Sequence, residues 1–529
     1  MISDSSKLAL VAVAAILGIL VGLRVSNNMK STSSWNSKLH IDAILTEQRL
    51  LRAEEKANQL NSESDTGTAN LGPEPPKWQL VIEKANPVHF VHIRNAFRTL
   101  GWVEKNDTSD WKLLWSYRDP FYSHHPSFVA IKAMAPGQKV NQLPGSGWFT
   151  YKWYLAEVAP KLDCLPITFQ LPRARNEFIS FAKQHEGQYD WVVKNEGHKG
   201  VKAVTPESEA VAKIVNNTLV QQLVRPVLIS GRSWDLGVYV AITSSHPLKV
   251  YVYNDIVLRF CQAKYIDPVV EPENVNAYVV GDHYTAPWEL PATKKHLDKG
   301  LNYLQALQRV LKEQGHAVDD LVPQLKVLIL ELLLKMQPKL KGVSDGYTHG
   351  ASSFFAMYRF DFMLDQHLRP YIMEVNLSPN LSSTRHQPLA GLFIKVLNDL
   401  VRLVGFGPEG AHRNIEMSPE IEQQLSSKDV GAADSNSCQA CVDTDCASTQ
   451  IDCVARCAAC RTPAQQQAIL DVVSEHAHQG PNWSRVYPIP QDLKELAAQY
   501  VKQQPPVGDL NNMLQEWMQS ACQKDGTWC

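Results

Sequence analysis

Near residue 360 the chain reads FAMYRFDFMLDQHLRPYIMEVNLSPNLSS, two short apolar strands around a polar turn. Residues 360–364 and 371–376 are rich in aromatic and branched side chains, and DQHLRP between them has turn chemistry. A hairpin here constrains the chain more than any other segment, because a symmetric loop over 365–370 sets position 361 opposite position 374. Alternation along a strand then puts Glu374 and Asn376 on one face. Directly opposed residues bring their Cβ atoms to about 4.5–5.5 Å, where the carboxylates of Asp361 and Glu374 repel. A hard cation between them removes that repulsion, and Mg²⁺ prefers carboxylate oxygens together with substrate phosphates. The competing reading is a solvated outer face, with Phe360, Phe362 and Leu364 packed inward.

At 529 residues the chain is too long for one core and predicts two or three lobes. A formal net charge of −2 excludes an overall basic surface for nucleic acid and leaves room for a local basic groove. Residues 8–23, LALVAVAAILGILVGL, carry no charge or proline and lie between Lys7 and Arg24. This predicts a signal anchor, a transmembrane helix within residues 1–25; a cleaved signal peptide competes, but no small-x-small site follows the run. Of ten cysteines, eight lie after residue 437, which reads as a disulfide framework in an oxidising compartment. The pairs Cys438-x-x-Cys441 and Cys457-x-x-Cys460 also fit a four-cysteine zinc site. With sequons at Asn106, Asn216 and Asn482, the expectation is a single-pass type II membrane protein, its bulk in the endoplasmic reticulum or Golgi lumen or at the cell surface.

Residues 26–77 read as a stalk and flexible linker, 411–437 as a second linker, and 438–529 as a cysteine-rich helical tail with short helices at 463–478 and 490–502. Between them, residues 78–410 mix helical patterns at 151–158, 175–185 and 321–336 with strands at 111–117, 191–194, 238–243 and 248–260. No repeat period is present, so the fold class is α/β (α+β) with an enzyme-like body.

Three polar groups interrupt these strands. Lys194 ends an apolar strand and is followed by Gly197 and Gly200, a lysine and glycine turn that suits a nucleotide phosphate as well as a tight hairpin. Asp235 sits amid apolar residues and needs partners if buried. Arg259, inside a strand, is costly unless it faces a cleft or an anion.

In this order the stretches resemble the tubulin–tyrosine ligase-like family, whose core is an ATP-grasp ligase fold. They are KVNQLPGSGWFTYKWYLAEV (139–158), WVVK (191–194), residues 220–260 and RFDFMLDQHLRPYIMEVNLSPNLSS (359–383). The resemblance implies ATP and Mg²⁺ as cofactors, with Asp361, Glu374 and Asn376 holding the metal against the phosphates. It implies that Lys152, Lys194 and Gly200 contact phosphates, that the stretch from Gln221 lines the adenine, and that Asp235 faces the nucleotide sugar. Arg259 and Lys194 become the catalytic cations, Arg259 stabilising the transferring phosphoryl group. The implied reaction joins an amino acid, glutamate first, to glutamate side chains of a protein acceptor.

Three departures stand out. Where the family carries a Lys-Phe-Asp-Leu-Arg type run, this chain reads Ser233-Trp234-Asp235-Leu236-Gly237, so two cations are missing. The phosphate loop after Lys194 is shortened, and the family's His-Leu-Thr-Asn run after Arg259 is absent. Two functions of different class follow: a ligase acting on an acceptor other than ordinary tubulin, or a nucleotide-binding pseudoenzyme tethered to a membrane as an interaction module. Reversed topology returns a cytosolic tubulin modifier.

Overall fold

The computed structural model describes residues 75–406 and 451–529, apart from short segments at 84, 106–109, 159–161, 196–200, 348–350, 458–459 and 501–509. The expected anchor, stalk and linkers, and Cys438, Cys441 and Cys446, lie outside the described residues. Among those described, no helix is long and apolar enough to cross a membrane.

Three sheets follow one another along the chain. The first is parallel, in the order β2-β1-β3-β4, with β1 Lys77–Val81, helix α1 Val91–Thr99, β2 Val103–Glu104, β3 Leu113–Ser116 and β4 Lys139–Val140. Gly101, at φ 77°, turns the chain out of α1, a conformation that costs glycine little. Helix α2 (Lys152–Val158) leads to an antiparallel sheet ordered β5-β8-β6-β7: β5 Thr168–Leu171, helix α3 Arg175–Gln184, β6 Trp191–Asn195, β7 Lys202–Val204 and β8 Thr218–Gln222.

The third sheet organises the molecule. Its long strands β9 Trp234–Ser245 and β10 Leu248–Phe260 are followed by helices α4 Tyr303–Glu313 and α5 Leu321–Ser344, then by the hairpin β11 Ala356–Leu364 and β12 Pro370–Leu377, and by helix α6 Ala390–Leu403. Strand alternation gives this sheet two apolar faces. Leu236, Val238, Phe360 and Phe362 pack with Leu328 and Leu332 of α5 in one core. Tyr239, Ala241 and Met357 pack with Phe97 of α1 and Val396, Leu397 and Leu400 of α6 in the other. Leucine recurs so densely in α5 because the helix is buried beneath the sheet rather than lying on the surface.

The cysteine-rich tail is joined to this body more closely than its composition suggests. It comprises helix α7 Pro463–His478, β13 Trp483–Tyr487, helix α8 Lys494–Tyr500 and helix α9 Leu510–Lys524. Strand β13 pairs antiparallel with β10, completing the order β12-β11-β9-β10-β13. The described residues between 75 and 529 form one compact unit. Lys249 of β10, 2% exposed, donates to Glu475 of α7 at 2.6 Å, and the Tyr251 hydroxyl donates to the same carboxylate at 2.8 Å. The Leu248 amide donates to Asn511 of α9 at 2.7 Å. Cys522 and Cys529 form a disulfide, and Cys453, Cys457 and Cys460 are also disulfide-bonded. Cys457 and Cys460 are therefore not thiolates waiting for zinc.

Removing one partner of a buried ion pair strands the other charge. Glu475→Leu is expected to lower unfolding stability by about 3–5 kcal/mol in chemical denaturation. Adding Lys249→Met in the same chain should recover most of that loss.

Candidate active site

The hairpin sets the site. Asp361 pairs with Glu374 across β11 and β12, and Arg359 pairs with Asn376. A bulge follows Asp361, so Phe362 faces Ile372, and the loop spans residues 365–369. On the other side of β11, Asp361 faces Gly237 and Arg359 faces Tyr239 of β9. Across β9, Asp235 faces Arg259 of β10. Four strands thus present Asp235, Gly237, Arg259, Arg359, Asp361, Glu374 and Asn376 at one end of the sheet.

The side chains form a continuous ionic network. Arg259 grips Asp235 with two bonds of 2.8 Å and donates to Asp361 at 2.9 Å. Arg359 grips Asp361 with bonds of 2.6 and 2.8 Å, and the Asn376 amide donates to it at 2.9 Å. Asp361 is 3% exposed. Burial alone pushes its carboxyl up, but Arg359 and Arg259 outweigh burial and hold it below the ordinary range. Glu374 follows the same logic: burial raises it, and Lys152 at 3.0 Å outweighs that. Both carboxylates are therefore anionic at neutral pH. For Asp235 burial pushes upward against the grip of Arg259.

Lys152 at the start of α2 and Lys194 in β6 come from different parts of the chain and meet in a cleft of about 340 Å³. Thr168, Leu219, Gln221, Ile372 and Met373 complete its lining. Lys194 donates to the Gln221 side chain at 2.5 Å, and Gln221 donates to Thr168 at 2.9 Å. Gln221 thus holds Lys194 in place besides lining the cleft. Burial, with the neighbouring Lys152 charge, pushes the Lys194 ammonium down to about 8, against the pull of Glu374.

Eight of the nine expected site residues are in the described part of the chain: Lys152, Lys194, Gln221, Asp235, Arg259, Asp361, Glu374 and Asn376. Gly200 and its neighbour Gly197 lie outside it. Arg359 was not anticipated, although the alternation that groups Glu374 with Asn376 also groups Arg359 with Asp361. After the hairpin, Ser378 adopts φ 45° and is held by Gln142, which donates to its hydroxyl at 2.6 Å. This fixes the direction in which the Ser378-Pro379 segment leaves the site.

Two carboxylates and an amide oxygen, hard donors on one face beside two lysines, fit Mg²⁺ in donor type and charge. Asp361 reaches a metal only by exchanging part of its guanidinium contacts.

The sequence profile described as "Tubulin-tyrosine ligase family" matches residues 130–412, more than half of the chain and the whole of this site. The chain belongs to the tubulin–tyrosine ligase family. Among its relatives, a probable tubulin polyglutamylase of Caenorhabditis elegans is 29% identical over 461 residues, covering 84% of this chain and 85% of the relative. A human tubulin monoglutamylase is 26% identical over 348 residues, 62% of this chain and 28% of its own length. A human tubulin polyglutamylase is 26% identical over 336 residues, 59% of this chain and 25% of its own. The chain thus spans about a quarter of either human relative. The mixed α/β fold fits this family.

Because Lys194 loses its proton near pH 8 when no anion is bound, its attraction for phosphate should fade as pH rises. Calorimetric affinity for Mg·ATP is expected to fall between pH 7 and pH 9 in the parent chain, and Lys194→Arg should flatten that fall.

Proposed function

We propose that the chain is an ATP-dependent carboxylate–amine ligase that joins an amino acid, most simply glutamate, to glutamate side chains of a protein acceptor. The observation that carries this reading is the meeting of Lys152 and Lys194 in one cleft, with Lys152 bound to Glu374 and Glu374 paired across the hairpin with Asp361. The names of the relatives support glutamate as the added residue. In this reaction the acceptor carboxylate attacks the γ-phosphorus of ATP, forming an acyl phosphate and releasing ADP. The incoming amine attacks the acyl carbon, a proton is lost, and inorganic phosphate leaves as the isopeptide bond forms.

Each residue has a part. Lys152 and Lys194 bind and orient the phosphates from opposite sides. Arg259, fixed by Asp235, stands where it can offset charge on the transferring group. Asp361, Glu374 and Asn376 would hold Mg²⁺, which when bound neutralises charge on the phosphate oxygens. The walls of the cleft keep water from an acyl phosphate that it would hydrolyse.

The acceptor we propose is lumenal, in keeping with the apolar run at 8–23 and the disulfide-bonded cysteines of the tail. A second reading, a nucleotide-binding module without turnover, is favoured by one observation. Asp361 already accepts from Arg259, Arg359 and Asn376.

Calorimetry of Mg·ATP with the full-length chain, beside the variant carrying Asp361→Asn and Glu374→Gln, tests both. The ligase reading expects binding by the parent, loss in the variant, and incorporation of labelled glutamate into protein. Binding without incorporation favours the second reading, and a folded parent that binds nothing overturns both.

A further inference from the structure

The sheet carries an arginine where neither strand pattern nor metal chemistry asks for one. Arg359 lies in the middle of β11, and its side chain crosses the neighbouring strand at Gly237. A Cβ built on Gly237 would stand 2.6 Å from Cδ, 3.0 Å from Nε and 3.1 Å from Cγ of Arg359. The glycine is at an ordinary strand backbone angle, so conformational freedom does not explain it. Space does: the stem of Arg359 fills the volume that any other residue at 237 needs.

Beyond Gly237 the guanidinium reaches Asp361 with two bonds. It also alters the charge of the site. Asp235, Asp361 and Glu374 are three carboxylates, and Arg259, Lys152 and Lys194 alone would balance them. Arg359 tips the cluster positive, the sign that a polyphosphate needs.

We infer that Arg359 is a positioning residue whose guanidinium, laid across the bare backbone of Gly237, supplies from β11 the cation missing at position 237. It orients Asp361 and gives the charged cluster beside the cleft its net positive sign. The two positions act as one unit: glycine at 237 is the condition for arginine at 359. The role in nucleotide binding rests on the ligase reading above, whereas the crossing of the two residues does not.

The test uses the full-length chain with two readouts, thermal unfolding and Mg·ATP affinity by calorimetry. Gly237→Ala is expected to lower the unfolding midpoint in the parent and to have little effect once Arg359→Gly has cleared the space. Arg359→Gly is expected to weaken Mg·ATP at least about tenfold, the scale of one charge-assisted contact. Combining it with Gly237→Arg should recover most of the affinity.

An Arg359→Gly chain that binds Mg·ATP as tightly as the parent, or more tightly, overturns the inference and leaves the ligase reading standing. Tighter binding would mean that the guanidinium competes with the metal. A double variant that recovers the unfolding midpoint but not the affinity also overturns it, because Arg359 then only packs. A parent that binds no Mg·ATP removes the nucleotide role with the ligase reading, while equal effects of Gly237→Ala in both backgrounds overturn the crossing.

Discussion

One buried carboxylate ties the centre of this molecule together. Asp361 on β11 accepts bonds from Arg259 on β10, from Arg359 on its own strand and from Asn376 on β12, across the backbone of β9. An uncompensated carboxylate at this depth would be very costly. Two guanidiniums and an amide make it tolerable, and in doing so they lock the register of four strands. Stability and chemistry therefore draw on the same bonds. The arrangement that keeps the sheet in register also keeps this carboxylate ionised.

The second sheet gives that anion something to act on. Its strands β6 and β8 carry Lys194 and Gln221 to the cleft, while Lys152 arrives from α2 and meets Glu374. Neither lysine alone makes a nucleotide site, because a lone ammonium on a strand end is an ordinary surface feature. Their convergence beside the ionised Glu374 is not, since charges of both signs are gathered where water is partly excluded.

Much of this was legible in the chain, and the misses have causes. The sequence pattern of the hairpin predicted the pairing of Asp361 with Glu374, but by a route only half right. A symmetric six-residue loop gives that pairing, whereas the loop has five residues and a bulge in β12 takes up the difference. The two offsets cancel on the side of the bulge that matters. The strands around 191, 238 and 248 were visible because each is a dense apolar run. Arg359 gives no such signal, because between Tyr358 and Phe360 it alternates with apolar neighbours as a solvent-facing strand residue does. The missing cation at Gly237 was seen, but its replacement lies 122 residues further along the sequence, and only the sheet brings the two together. Strand β13 escaped for a similar reason: WSRVY is short, and nothing local shows that its partner is β10.

That partnership has a consequence for how the chain is made. Lys249 and Glu475 are 226 residues apart, and the edge of β10 is covered only when the segment after Glu475 has been synthesised. At about 5–20 residues per second, a row of unpaired amides waits roughly 10–45 s for its neighbour. An apolar strand with an open edge is a template for the wrong partner. The last hundred residues are thus the lid on a hazard that the first half of the chain creates, and their arrival time sets how long it lasts.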